Sequence, residues 1–199
     1  KYDEFRSSKG VTGTQAAEYI LRSQGITDVG VQQIAGNLTD NYNSGNKLLS
    51  LSEATAQSTS VAAIGVAAHE CGHAVQDAKN YFPLKLRAAI VPVANIGSTL
   101  SFPLIMLGVI MSWNQTLINV GILAFSLALV FQLVTLPVEF DASRRALSIL
   151  REGNMLAEDE LAAARKVLMA AALTYVAAAL ATFLQLLRLV LLFGNRSRD

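Results

Sequence analysis

Apolar and polar positions change rhythm several times along this chain. Residues 14–23 (TQAAEYILRS) repeat apolar side chains at helical intervals. They follow a Thr12-Gly-Thr-Gln15 capping box and precede a stop at Gly25. Residues 29–36 (VGVQQIAG) and 47–52 (KLLSLS) alternate or read as short strands, and NLTDNYNSGN between them is dense in turn formers. The pattern predicts a two-stranded ribbon with a long tip. Such a ribbon is too small to stand alone and should lie on a helix. From a cap at Thr59 or Ser60, a helix runs to about Lys79; it is Ala-rich and apolar nearly all round, which predicts burial.

The second half hardly alternates. No Asp, Glu, Lys or Arg occurs from residue 88 to residue 138, or from 167 to 187. A membrane helix needs about 20 apolar residues. The first run therefore suits two spans, 90–111 and 117–136, joined by the polar SWNQT at 112–116; the second suits one, 167–187. Pro83 is expected to break the chain before the first span, Pro92 to sit in that span's first turn, Pro103 to kink it and Pro137 to end the second. VEFDASRRALSIL (138–150) then reads as an amphipathic helix ending at Gly153. Asn154 is positioned to cap the last helix, with Glu158, Asp159 and Glu160 in its early turns. Ala170, Thr174, Ala178 and Thr182 recur every four residues, a small-residue face suited to close packing.

Composition agrees with the membrane reading. Hydrophobic residues make up 52% and charged residues 16%, against about 25% charged in soluble domains. The alternative, a soluble core of buried helices, seldom excludes charge for so long. The fold class is thus mainly α: an integral membrane protein with about three transmembrane helices, a buried Ala-rich helix and a small two-stranded β-ribbon. Residues 1–87 are expected to form one region and 88–199 the spans, as one integrated domain. A net charge of +1 gives no electrostatic case for nucleic acid, and one cysteine excludes an internal disulfide framework.

The buried helix carries the chemistry. His69-Glu70-Cys71-Gly72-His73 contains both histidines of the chain. Positions four apart share one helix face, so both imidazoles can reach one metal at about 2.0–2.1 Å. Glu70 lies beside them, where it can take a proton from a water and return it to a leaving amine. This is the His-Glu-x-x-His zinc pattern, which makes the helix zincin-like and residues 1–87 the expected catalytic region, with the helix after the second span expected to join the site. An unpaired Glu and two histidines would be costly on an apolar helix otherwise. Cys71 lies about 200° from His69 and reads as core packing, Gly72 leaves room for another segment, and Asp77 is a turn too far along to share the metal.

The third ligand should be a carboxylate on the same membrane side. Two spans return the chain to that side, and Glu139 is the first charged residue there, with Asp141 as its rival.

VAAHECGHAVQ (66–76), LRAAIVPVANIGS (86–98), FQLVTLPVEFDASRRAL (131–147) and ARKVLMAAALTYVAA (164–178) together resemble the YugP-type membrane zinc metallopeptidases of bacteria. The resemblance covers nearly the whole chain. Members usually carry a further N-terminal transmembrane helix; because the chain starts at Lys1 rather than Met, a longer natural product is expected. A more distant likeness is to HtpX-type and CAAX-prenyl membrane proteases, where a glutamate heading an EFxAD-like segment binds the metal. By motif that glutamate is Glu139, and the later acidic position holds Ser143. YugP-like chains also tend to have LTDHYDP at the tip, where this one reads LTDNYNS, with Asn41, Asn43 and Ser44.

The resulting expectation is a gluzincin-like membrane zinc endopeptidase. His69, His73 and Glu139 hold Zn2+, Glu70 is base and acid, and Tyr42, Arg144 and Arg145 are candidate oxyanion or substrate contacts. Its partners are membrane lipid and a protein or peptide substrate, with a membrane-protein partner or homo-oligomer as further candidates. The competing class is a non-catalytic scaffold with a structural zinc, against which an intact Glu70 argues. Lys79, Lys85, Arg87, Arg144, Arg145, Arg151, Arg165 and Lys166 flank the site side and 112–116 has no charge, so the positive-inside rule puts the site in the cytoplasm; Arg188, Arg196 and Arg198 count the other way.

Overall fold

The computed structural model describes residues 5–194. Lys1, Arg196 and Arg198, used above, lie outside them. The elements are α1 (Gly13–Ser23), β1 (Gly30–Ile34), β2 (Asn41–Asn43), β3 (Leu48–Ser52), α2 (Glu53–Ala56), α3 (Val61–Ala78), α4 (Phe82–Ile110), α5 (Gln115–Glu152) and α6 (Glu158–Phe193). Two units can be distinguished. One holds the chain up to Leu84 with Val138–Ala172, the other Lys85–Pro137 with the chain from Leu173 onward.

The first unit is built around α3. Ser60 caps it, its hydroxyl accepting from the Ala63 N–H at 3.1 Å. Ile64, Ala67, Ala68 and Cys71 are wholly buried, as an all-round apolar helix requires. The α1 capping box forms as expected, with Thr12 and Gln15 each taking the other's N–H. The Cys71 thiol points at the Ala17 carbonyl of α1.

The sheet has three strands rather than two, in the order β1-β3-β2. β1 and β3 run parallel, with Gly30 opposite Leu48, and β2 pairs antiparallel with β3, with Tyr42 opposite Leu49. The tip read as turn thus contains a strand of its own. Asp40 makes this possible: its carboxylate accepts from the Ser52 N–H at 2.8 Å and from the hydroxyls of Ser52 and Thr55, tying the tip to the start of α2. Leu49 and Leu51 enter the core.

Asn154 does not cap α6. It closes α5 in the left-handed conformation (φ 49°), its N–H donating to the Arg151 carbonyl and the Met155 N–H to that of Leu150. A polar, αL-tolerant residue after a long helix serves a C-terminus as readily as an N-terminus. The Glu160 carboxylate instead accepts from the N–H groups of Ala157 and Ser8 at the start of α6.

Among the described residues, the second unit consists of helix segments and the turn that joins α4 to α5. Three helices, α4, α5 and α6, are long and apolar enough to cross a membrane. Within it α4 and α5 cross closely. A Cβ on Gly97 would lie 2.6 Å from the Ala124 carbonyl oxygen, and one on Gly121 2.9 Å from that of Ser101. The Ser101 hydroxyl donates to the Gly121 carbonyl at 2.8 Å. Ser112 and Trp113, both at positive φ, make the turn, and the Asn114 side chain accepts from the Leu117 N–H as α5 begins.

Two prolines differ from expectation. Pro83 follows the break between α3 and α4, and Pro103 lies inside α4, but Pro92 is also inside that helix rather than in a first turn, and α5 runs on through Pro137. Leaving the helix at an apolar end would strand several backbone groups, whereas continuing forfeits one hydrogen bond. The stripe on α6 is not packed as expected: Ala170, Thr174 and Ala178 are exposed, while Ala172 and Ala179 are buried.

Candidate active site

Four-residue spacing places His69 and His73 one turn apart on α3, with ring centroids 4.8 Å apart and nearly perpendicular. Opposite them stands α5. Gly72 allows the approach: a Cβ there would lie 2.3 Å from the Ala142 carbonyl oxygen. At this distance the same helix turn brings Glu139 onto both imidazoles. Its Oε2 is 3.0 Å from His69 Nε2 and its Oε1 3.6 Å from His73 Nε2. One ligand atom from each of the three residues lies within 4.8 Å of the others. Glu139 and His73 are buried and His69 nearly so.

The second nitrogens are also held. His69 Nδ1 is 2.9 Å from the Ser143 hydroxyl, which follows Glu139 by one turn of α5. His73 Nδ1 is 3.0 Å from Gln76 Oε1. Gln76 is fully buried, and its amide nitrogen donates to the Val138 carbonyl at 2.8 Å and to Asp141 at 2.9 Å. A backbone carbonyl can only accept, so the Gln76 amide is fixed and its oxygen must accept in turn. His73 Nδ1 therefore donates to Gln76, and its Nε2 faces the Glu139 carboxylate at 3.6 Å. Two imidazoles, each backed by a hydrogen-bonding partner, and one carboxylate form the donor set of catalytic zinc. The residues fit the metal.

Glu70 is adjacent and half-buried. Burial pushes its pKa up to about 7; His69 opposes this, Glu139 and Asp40 add to it, and the backbone N–H of Tyr42 opposes it by donating to the carboxylate. A cation held by the neighbouring residues would pull it back down.

The other predicted residues are placed elsewhere. Asp141 accepts from Gln76, Arg144 and Arg145, each arginine at 2.5 Å, and is not among the grouped donor atoms. Arg145 also lies over the Tyr81 ring. The Tyr42 hydroxyl donates to Asp77 at 2.7 Å, where Lys47 also binds. Burial first, then that bond, raises the Tyr42 pKa, and the Asp77 partner raises that of Lys47. The three side-chain oxyanion candidates are thus engaged by carboxylates outside the group. Asn41, where the YugP pattern has histidine, is exposed and donates to the Thr39 carbonyl. Sequence reasoning missed Gln76 as a partner. Its signal was a lone amide on an apolar helix, three residues after His73.

A family model described as "Putative neutral zinc metallopeptidase" matches residues 1–194. The chain belongs to this family. Over 195 residues, 98% of this chain and 86% of the relative, it is 45% identical to "Putative membrane protease YugP" of Bacillus subtilis (strain 168). No solved structure matches this chain. Zinc is the metal of the zinc metallopeptidase family, and the grouped His69, His73 and Glu139 suit it. A membrane location agrees with the relative's name and with the three long apolar helices.

Proposed function

We propose that this zinc metallopeptidase family member is a gluzincin-like endopeptidase that hydrolyses peptide bonds of membrane-associated proteins. The observation that carries the reading is the meeting of Glu139 with His69 and His73 beside Glu70. His69, His73 and Glu139 would hold the zinc. When bound, the metal supplies a Lewis acid that polarises the scissile carbonyl and acidifies a water. Glu70 takes the proton of the attacking water and delivers it to the leaving amine. Gln76 keeps the His73 proton on Nδ1, and Ser143 orients His69. The Tyr42 amide donates to Glu70 from β2, a strand at the edge of the sheet. An extended substrate can therefore add to that edge next to the base.

The deciding experiment compares purified wild type with Glu70→Gln for zinc content and proteolysis. The amide keeps the shape and removes the base. Zinc should stay and hydrolysis should fall about 10²–10⁴-fold. Full proteolysis by the variant would remove the assignment.

The site faces the cytoplasm in this reading, because the cations flanking it outnumber those elsewhere. Single cysteines at Asn114 and Ser148, both exposed, test it. Cys71, wholly buried, adds little background. Ser148→Cys should be labelled only from the cytoplasmic side and Asn114→Cys only from the other. Labelling of both from one side contradicts the paired spans.

A further inference from the structure

We propose that a groove between the end of α5 and the start of α6 binds an anionic phospholipid. The groove has a volume of about 730 Å³, and its walls come from α5 between Phe140 and Arg151 and from α6 between Glu158 and Ala172. Four cations line it, Arg144, Arg151, Arg165 and Lys166, against one carboxylate, Glu158. Arg144 is tied to Asp141 yet its side chain is 78% exposed, and Arg151 meets Glu158 only at 3.5 Å. Arg165 and Lys166 are exposed, and neither forms an ion pair among the described residues.

The order of chemistry along α6 selects the ligand. Lys166 is the last charge before the uncharged stretch that begins at Val167, and Leu168, Met169 and Ala172 continue the groove along that stretch. Cations come first and an apolar wall follows, in the direction in which the helix becomes apolar enough to span a membrane. A phospholipid has the same sequence of parts, a phosphate and then acyl chains. A free anion would use the cations and leave the apolar wall unexplained. Basic pockets at the ends of membrane helices bind anionic headgroups, with each Lys or Arg contributing on its own. Ser143, whose hydroxyl is 2.9 Å from His69 Nδ1, also lines the groove. The lipid site and the candidate active site thus share a wall, but the inference does not depend on the peptidase reading.

The test titrates the full chain, in neutral detergent, with phosphatidylglycerol and with phosphatidylcholine of the same acyl chains, following the unfolding temperature. Phosphatidylglycerol should stabilise the protein saturably and phosphatidylcholine should not. Arg165→Gln/Lys166→Gln should weaken the apparent affinity about 30-fold. Both side chains are exposed, so folding should survive. Arg22→Gln/Lys79→Gln removes two exposed cations elsewhere and should leave the affinity unchanged. Equal stabilisation by both lipids, or unaltered affinity in the groove variant, would overturn the proposal. An equal loss in the control variant would reduce it to net charge. Stabilisation by inorganic phosphate at matching concentration would make the groove an anion site rather than a lipid site.

Discussion

At Gly72, α3 lies against the backbone of Ala142, and at Gly121, α5 lies against the backbone of Ser101. The steric device is the same: a missing side chain lets two helix backbones touch. The surroundings differ. Around Gly72 the crossing is flanked by His69 with Ser143, by Glu139, and by Gln76 with Val138 and Asp141. Beside Gly121 the Ser101 hydroxyl donates to the Gly121 carbonyl. In lipid, apolar surfaces gain little by leaving their solvent, so close packing and an occasional hydrogen bond must hold helices together. In the first unit closeness has a second use. It sets the distance at which a carboxylate meets two imidazoles, and an error there would be an error in the metal site.

The sharpest test of that contrast is the carboxylate itself. Glu139→Ala should lose more zinc affinity than the about 10–100-fold typical of an outer partner, and hydrolysis with it. Asp141→Ala, which disturbs only Gln76 and two arginines, should lose less. Competition with a fluorescent chelator measures both, and the reverse ranking would move the third ligand to Asp141.

Next comes the amide. Gln76→Leu leaves the His73 tautomer unspecified and the Val138 carbonyl without this donor. Zinc affinity should fall about 10–100-fold. Unchanged affinity would show that His73 needs no such support.

The glycines compare the two crossings directly. Alanine at either position should cost about 1–3 kcal/mol of stability by overpacking. Only Gly72→Ala should also weaken zinc binding, because only there does the separation fix ligand geometry. Calorimetric unfolding beside metal titration separates the outcomes. Equal zinc affinity in Gly72→Ala and Gly121→Ala would dissolve the distinction drawn between the crossings.

The smallest effect is expected from Ser143→Ala, about 10-fold in zinc affinity at the low end for an outer partner. Ser143→Asp, which restores an acid of the kind the HtpX-like motif carries, should bind zinc at least as tightly as wild type. A weaker site in that variant would mean that this position cannot serve as an acidic partner here.

Much of this was legible in the chain because the signals are local. The His-Glu-x-x-His spacing needs only helix geometry to put two imidazoles on one face. The loss of charge after Arg87 needs only the width of a bilayer to imply paired spans. Even Glu139 could be ranked first, since two crossings return the chain to its starting side. What failed locally were elements whose neighbours decide them. The tip became a strand because Asp40 is held by Ser52 and Thr55. Asn154 became the end of one helix rather than the start of the next, since either end accepts such a residue.

The sequence by itself determined the His-Glu-x-x-His motif, the helices apolar enough to span a membrane and the carboxylate grouped with the two histidines, because periodicity and charge act within one element and are written in its order. Tertiary structure alone decided the rest. α5 continues through Pro137 and passes Gly72 at backbone contact, Gln76 reaches across to Val138, and Ser143 stands against His69. These are meetings between residues more than sixty positions apart, and a side chain's partner at that separation is set by where two helices pack, which no local pattern encodes.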